Sequence, residues 1–91
     1  MTEPRDILMY GTLWCGDCHR SKAFLDEHEV PYTFIDIDED PAAAAIVERI
    51  QRGGRSVPTI LFADGAVLIE PSDAELGAKL GIDVPRRGWF S

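Results

Sequence analysis

The first half of the chain alternates short apolar runs with segments of helical character. The run Ile7 to Tyr10 predicts a buried strand. A helix is predicted from about Asp17 to His28, and it ends before Val30-Pro31 because the residue preceding a proline disfavours helical backbone. The segment from Tyr32 to Ile37 is rich in β-branched and aromatic residues, which predicts a second strand.

The second half opens with the most sharply bounded helix of the sequence. The segment DPAAAAIVERIQRGG has a capping residue at Asp40 and a proline at the first helical position. Gly53 or Gly54 is expected to end this helix.

A hairpin and a third helix complete the pattern. Apolar runs at 59–62 and 67–69 flank the turn residues Ala63-Asp64-Gly65, which is typical of two antiparallel strands. The segment PSDAELGAKLG predicts a helix capped by Ser72 or Asp73 and ended at Gly81.

The resulting element order is β-α-β-α-β-β-α, which is an α/β pattern. A strand-helix-strand unit favours parallel strands joined by a right-handed crossover, and the hairpin adds an antiparallel edge. We therefore expect a four-stranded mixed sheet flanked by helices, in one domain over residues 1–91. Its core is expected to span about 6–81, with a C-terminal tail at 82–91.

Composition narrows the classes of function. The 91 residues carry a net charge of −7, and a chain this acidic is a poor candidate for binding nucleic acid. The amino-terminal segment has acids where a signal peptide has bases, and no apolar run reaches the length of a membrane span. We expect a cytoplasmic protein that binds neither nucleic acid nor membrane.

The only two cysteines, Cys15 and Cys18, lie in the stretch WCGDCHR and admit four interpretations. A zinc site needs about four ligands, and only His19 and His28 are available besides the cysteines. The stretch also matches the C-x-x-C-H pattern of haem attachment, but no export signal accompanies it. A structural disulfide this short gains little loop entropy. We therefore expect no bound metal.

Of the four interpretations, a redox couple is the one for which the sequence supplies a chemical mechanism. Cys15 is expected at the start of a helix, where unpaired N–H groups and the helix dipole stabilise a thiolate. Cys18 is one turn further on, within reach of the Cys15 sulfur. A C-x-x-C pair between a strand and a helix is a strong signal for redox chemistry.

These residues resemble the glutaredoxin branch of the thioredoxin-like proteins. The resemblance rests on YGTLWCGDC, GGRSVPTILFADG and the final PSDAEL helix, and it implies a thioredoxin-like fold. Within the branch, the chain is most similar to mycoredoxin-type proteins. The resemblance further implies that Val57-Pro58 is a cis-proline element facing the cysteines, with Val57 free to pair with an extended substrate peptide.

The resemblance also indicates how a small thiol is bound. In glutathione-using relatives, a Gly-Gly pair and a following acid or serine hold a carboxylate at a helix amino terminus. Ser72 and Asp73 match this site, whereas Glu70 and Pro71 replace the glycines. This departure weakens the case for glutathione and fits mycothiol, bacillithiol or a protein partner.

Two further residues are candidates for binding substrate. Arg55 is expected either to meet a ligand carboxylate or to lie in solvent as an ordinary loop arginine. Trp14 is expected to form a platform beside the nucleophile.

The resemblance implies a thiol-disulfide oxidoreductase that acts on mixed disulfides between proteins and a low-molecular-weight thiol. Cys15 is the expected nucleophile and Cys18 the resolving cysteine, with mycothiol, bacillithiol or glutathione as co-substrate and no tightly bound cofactor. We expect a monomer whose electrons come indirectly from an NADPH-dependent flavoprotein reductase. Two alternatives remain: a thioredoxin-like dithiol reductase, and a dimer that binds a [2Fe–2S] cluster through Cys15 and small thiols.

Overall fold

The computed structural model describes residues 7–82. Its strands are Leu8–Gly11 (β1), Thr33–Asp36 (β2), Thr59–Leu61 (β3) and Val67–Ile69 (β4), and its helices are Gly16–Glu27 (α1), Pro41–Ile50 (α2) and Asp73–Leu80 (α3). The predicted tail at 82–91 lies outside the described residues except for Ile82. None of the helices within the described part of the chain is both long and apolar enough to span a membrane.

The four strands form one mixed sheet, which confirms the predicted architecture. The strand order is β2-β1-β3-β4. Strand β1 runs parallel to β2 and antiparallel to β3, and β3 pairs antiparallel with β4. Because β1 is parallel to β2 and antiparallel to β3, the C-terminal ends of β1 and β2 and the N-terminal end of β3 lie at the same end of the sheet.

Local capping sets the helix boundaries. The Asp40 side chain accepts a hydrogen bond from the Ala43 N–H at the start of α2, as the sequence pattern predicted. The helix ends at Ile50, before the two glycines. The turn that follows has left-handed backbone at Arg52 and Gly53, with φ of 57° and 105°. Glycine therefore suits position 53 of this turn, because a residue without a side chain adopts a positive φ without a steric clash.

The helices lie on both faces of the sheet because successive strand residues point to opposite sides. Met9 of β1 packs in a core with residues of α1 and α3, whereas the next residue, Tyr10, packs in a second core with α2. The first core consists of Ile7, Met9, Phe24, Leu25, Ile60, Phe62 and Leu76. The second consists of Tyr10, Ile37, Ala43, Ala44 and Val47.

Candidate active site

Cys15 is the N-cap residue of α1, directly after the loop that leaves β1. Its backbone is extended, with φ −87° and ψ 118°, and its Sγ accepts a hydrogen bond from the Cys18 N–H at 3.1 Å. A sulfur in this position receives an otherwise unpaired donor of the first helical turn. Negative charge on it is stabilised by the positive end of the helix dipole.

The loop before β3 brings a cis peptide bond to the same place. Val57-Pro58 is cis, in agreement with the expectation from the family resemblance. The Cys15 thiol lies 3.7 Å from the Val57 carbonyl oxygen, although the two residues are 42 positions apart. The Pro58 carbonyl in turn accepts a hydrogen bond from the Glu70 N–H at 2.8 Å.

Cys18 lies beneath Cys15 and is sealed from solvent, with 0% of its surface exposed. Burial, together with hydrogen bonding to Cys15, raises the pKa of the Cys18 thiol to about 12. Both cysteines are free thiols in this structure. The pair thus combines one sulfur at a helix terminus with a second, neutral sulfur in the interior.

The segment between β1 and Cys15 forms an exposed apolar surface. Trp14 is 74% exposed and Leu13 62% exposed. The Trp14 indole N–H donates to the Asp38 carboxylate at 2.8 Å, which ties this segment to the loop after β2. Trp14 therefore lies exposed directly before Cys15, with its indole N–H held by an acidic side chain. Its role as a platform for substrate stays a prediction.

Arg55 lies in the loop before Val57-Pro58, and its contact with a ligand stays a prediction beside the alternative of a solvent-exposed loop arginine. Its guanidinium makes an ion pair with Glu48, and the side chain is otherwise exposed. The loop that carries it is held by Gln51, whose side-chain amide donates to the Ser56 carbonyl at 2.9 Å and to the Thr59 hydroxyl at 2.7 Å. Gln51 thus fixes the approach to Val57-Pro58, whereas Arg55 covers the side of α2.

The amino terminus of α3 carries a capping box built from its own side chains. The Ser72 hydroxyl accepts from the Glu75 N–H at 3.1 Å, and the Glu75 carboxylate accepts from the Ser72 N–H at 2.8 Å, which is a capping box. The Asp73 carboxylate pairs with Arg20 of α1 at 3.1 Å.

The structure joins the two halves of the site through Arg20. Its guanidinium contacts Asp73, the Asp17 carboxylate at 3.4 Å and the Pro71 carbonyl at 3.3 Å. It therefore connects the cysteine-bearing helix to the start of α3. Among residues 7–82, no cluster of three or more histidine, cysteine or acidic side chains is suited to hold a metal ion.

The chain is similar to known proteins over most of its length. A family model described as Glutaredoxin matches residues 7–67. The chain belongs to the glutaredoxin family. A Mycobacterium tuberculosis protein named as a glutaredoxin is 43% identical over 74 residues, covering 81% of this chain and 88% of that protein. Mycoredoxin 1 of Corynebacterium glutamicum is 36% identical over 75 residues, covering 82% of this chain and 92% of that protein.

A solved structure supports the same relationship. The glutaredoxin grx-1 from Archaeoglobus fulgidus superposes with a TM-score of 0.72 at 26% identity, covering 82% of this chain and 85% of that chain. As a glutaredoxin, the protein is a thiol-disulfide oxidoreductase. Its family acts on protein disulfides and uses low-molecular-weight thiols as co-substrates.

For this glutaredoxin, sequence reasoning missed the residues that organise the site from a distance. Arg20 carried one local signal, since it is three positions from Asp17 on a predicted helix. Its pairing with Asp73 had no such signal, because 53 positions separate the two residues. Asp38 was missed for the same reason, since 24 positions separate it from Trp14. Gln51 was missed because nothing in the sequence signals that its side chain bonds Ser56 and Thr59, although these are only 5 and 8 positions away.

Proposed function

We propose that the protein reduces mixed disulfides between proteins and a low-molecular-weight thiol, with Cys15 as the nucleophile. The observation that carries this proposal is the position of the Cys15 sulfur at the amino terminus of α1, opposite the Val57 carbonyl. A thiolate is the attacking species in exchange, and the helix terminus stabilises it. The backbone of Val57 offers a substrate peptide an extended segment to lie against.

The first exchange transfers the small thiol to the enzyme. The Cys15 thiolate attacks the small-thiol sulfur of the mixed disulfide, and the client protein leaves as a thiolate that takes up a proton. The new bond joins Cys15 to the small thiol, so the client has been reduced. Electrons balance because one disulfide has replaced another.

Two routes regenerate the enzyme. A second small thiol can attack the small-thiol sulfur of the adduct, which releases the Cys15 thiolate and a small-molecule disulfide. Alternatively, the Cys18 thiol loses its proton and attacks the Cys15 sulfur of the adduct, which breaks the bond to the small thiol and releases it as a thiolate. The product is an internal disulfide that a reductant must open with two electrons. Burial and the raised pKa of Cys18 slow the second route, so we propose the small-thiol route as the main one.

The start of α3 bears on which small thiol is used. The Glu70 N–H is already bonded to the Pro58 carbonyl, Pro71 has no N–H, and the Ser72 N–H is bonded to the Glu75 carboxylate. These three positions therefore offer no free donor to a ligand carboxylate, and Glu70 adds a negative charge. Glutathione carries carboxylates and mycothiol carries none, so we propose mycothiol as the preferred co-substrate.

The proposed function is tested with one client peptide carrying its cysteine as a mixed disulfide with glutathione, mycothiol or bacillithiol. Each is offered to the wild type with the same free thiol as reductant, and intact mass identifies the adduct on Cys15. We expect mycothiol to support turnover faster than glutathione by about tenfold or more, the effect of one missing hydrogen bond to a charged group. Equal turnover with glutathione would contradict the assignment of the small thiol.

Variants of the two cysteines test the mechanism in the same assay. Cys15→Ser is expected to reduce turnover to the uncatalysed rate, because no other thiol reaches the substrate. Cys18→Ser is expected to retain turnover, because the small-thiol route needs only Cys15. Equal loss in both variants would instead indicate a thioredoxin-like dithiol mechanism, and no turnover by the wild type with any small thiol would reject the proposed function.

A further inference from the structure

Gly11, the last residue of β1, lies against the sulfur of Cys18. A Cβ placed on Gly11 would be 2.6 Å from the Cys18 Sγ, a distance that requires something to shift. The backbone of Gly11 does not need glycine, since it is not among the residues with positive φ. The absence of a side chain at Gly11 therefore leaves room in the interior. The Cys18 sulfur, the buried sulfur of the redox pair, occupies that room.

The neighbours of this space explain why the sulfur stays there. Phe34 of β2 closes one side, with its Cε1 atom 3.0 Å from the position of a Gly11 Cβ. The Cys18 Cβ lies 3.4 Å from the same position, and Cys18 is fully buried. We call this space, bounded by Gly11 and Phe34, the sulfur niche.

We propose that Gly11 sets the balance between the dithiol and disulfide forms of the Cys15–Cys18 couple, by leaving the niche open for the reduced Cys18 sulfur. This inference rests on the proposed function, in which Cys18 can resolve the adduct on Cys15. A side chain at position 11 would crowd the reduced sulfur and leave the couple more inclined to form its disulfide.

The chemistry of the couple gives the direction of the effect. Oxidation removes two electrons and two protons from the two thiols and joins the sulfurs at about 2.05 Å. The Cys15 sulfur is not among the three atoms nearest a Gly11 Cβ, so we expect the Cys18 sulfur to move away from Gly11 as this bond forms. Overpacking at position 11 therefore destabilises the dithiol form more than the disulfide form, which makes the couple more reducing.

The test is Gly11→Ala, equilibrated with buffers of dithiothreitol and its cyclic disulfide, quenched in acid and read by alkylation and intact mass. We expect the equilibrium to shift toward the internal disulfide by about tenfold, which is about 30 mV more negative for a two-electron couple. Gly65→Ala is the matched control, because its φ of 91° strains the turn between β3 and β4 while no atom lies within 4 Å of the added Cβ, so that it crowds no sulfur. Its couple is expected to match the wild type.

A kinetic readout uses 5,5′-dithiobis(2-nitrobenzoate) on the reduced protein. The reagent forms an adduct on Cys15 and releases one nitrothiolate, and attack by Cys18 releases the second. Gly11→Ala is expected to speed the second release relative to wild type. An equilibrium and a second release that both match the wild type would overturn the role of Gly11, whereas failure of the wild type to form an internal disulfide at all would instead contradict Cys18 as the resolving cysteine.

The Cys18→Ala background keeps the proposal falsifiable if Gly11→Ala folds poorly. Without the Cys18 sulfur, the closest remaining atom to a Gly11 Cβ is the Phe34 Cε1 at 3.0 Å. We expect Gly11→Ala to lower the free energy of unfolding less in the Cys18→Ala background than in the wild type. Equal losses in the two backgrounds would place the conflict at Phe34 and overturn the niche.

Discussion

At the scale of single residues, Cys18 illustrates how burial changes the pKa of a thiol. It shares a helical turn with Cys15, yet its sulfur is fully buried and its pKa is raised to about 12, chiefly by burial. The neutral thiol is thus favoured in the folded state, whereas in the unfolded chain it ionises nearer the ordinary thiol pKa of 9.0. Stability is therefore linked to the protonation of this group.

Cys18 makes the free energy of unfolding depend on pH in the alkaline range. The stability that comes from keeping the buried Cys18 thiol neutral is fully present below about pH 9. It is lost as the pH rises toward 12, the pKa of this thiol in the folded state. We expect the free energy of unfolding of the reduced wild type to fall more steeply between pH 9 and 11 than that of Cys18→Ala, measured with denaturant in the presence of a reductant.

Tyr32 provides the control for this measurement. Burial, and then the hydrogen bond and charge of Asp26, raise the pKa of Tyr32 above 10.0, so it adds a loss of stability in the same alkaline direction. Tyr32→Phe removes that contribution and leaves the one from Cys18. Parallel pH curves for the wild type and Cys18→Ala, in either background, would contradict the assignment.

At the scale of elements, the helices depend on caps that involve neighbouring residues. The capping box of α3 satisfies two backbone donors, at Ser72 and Glu75, and Gly81 ends the helix with φ 75°. The same capping box takes the Ser72 N–H away from any ligand. One local device thus stabilises the helix and shapes the specificity proposed for the site.

Ser72→Ala tests the energetic part of this capping box. Loss of the hydroxyl leaves the Glu75 N–H without its acceptor, and we expect a decrease of about 1 kcal/mol in the free energy of unfolding. Denaturant titration measures the change. Ser56→Ala, at an exposed serine that caps no helix, is the matched control and is expected to change stability by less than about 0.5 kcal/mol; a cost for Ser72→Ala no larger than this would contradict the role of the cap.

At the scale of the molecule, one small sheet supports two cores. Strands β1 and β3 are central and carry the fully buried side chains Met9 and Ile60, whereas β4 is an edge strand on which Ile69 is 45% exposed. The Cys15 and Val57 positions are attached to these central strands. Packing in the interior therefore determines how closely the cysteine and the cis-proline loop approach each other.

Two isoleucines on neighbouring strands test this distribution of stability. Ile60→Ala is expected to lower the free energy of unfolding by about 2–5 kcal/mol, because it leaves a cavity in the core. Ile69→Ala, an identical change on the exposed edge, is expected to cost less than about 1 kcal/mol. Chemical denaturation of both variants checks the prediction, and similar losses would show that the edge strand contributes as much as the centre.

The sequence by itself determined the features that depend on residues close together in the chain. The strand and helix order followed from apolar periodicity, and the caps at Asp40 and Ser72 are contacts over three residues. Cys15 and Cys18 are equally local, since the first turn of α1 alone brings the Cys18 N–H to the Cys15 sulfur. Predictions from pattern and propensity succeed at this range because the backbone geometry fixes which neighbours meet.

Only the tertiary structure decided the rest of the site. The approach of Val57 to Cys15, the Trp14–Asp38 hydrogen bond and the Arg20–Asp73 pair join residues 42, 24 and 53 positions apart. The ion-pair partners of Asp73 and Arg55, which are Arg20 and Glu48, likewise come from other segments of the chain. The physical reason is that such contacts depend on the path of the whole chain, which sets the partners of a charged side chain only once the sheet and its helices are packed.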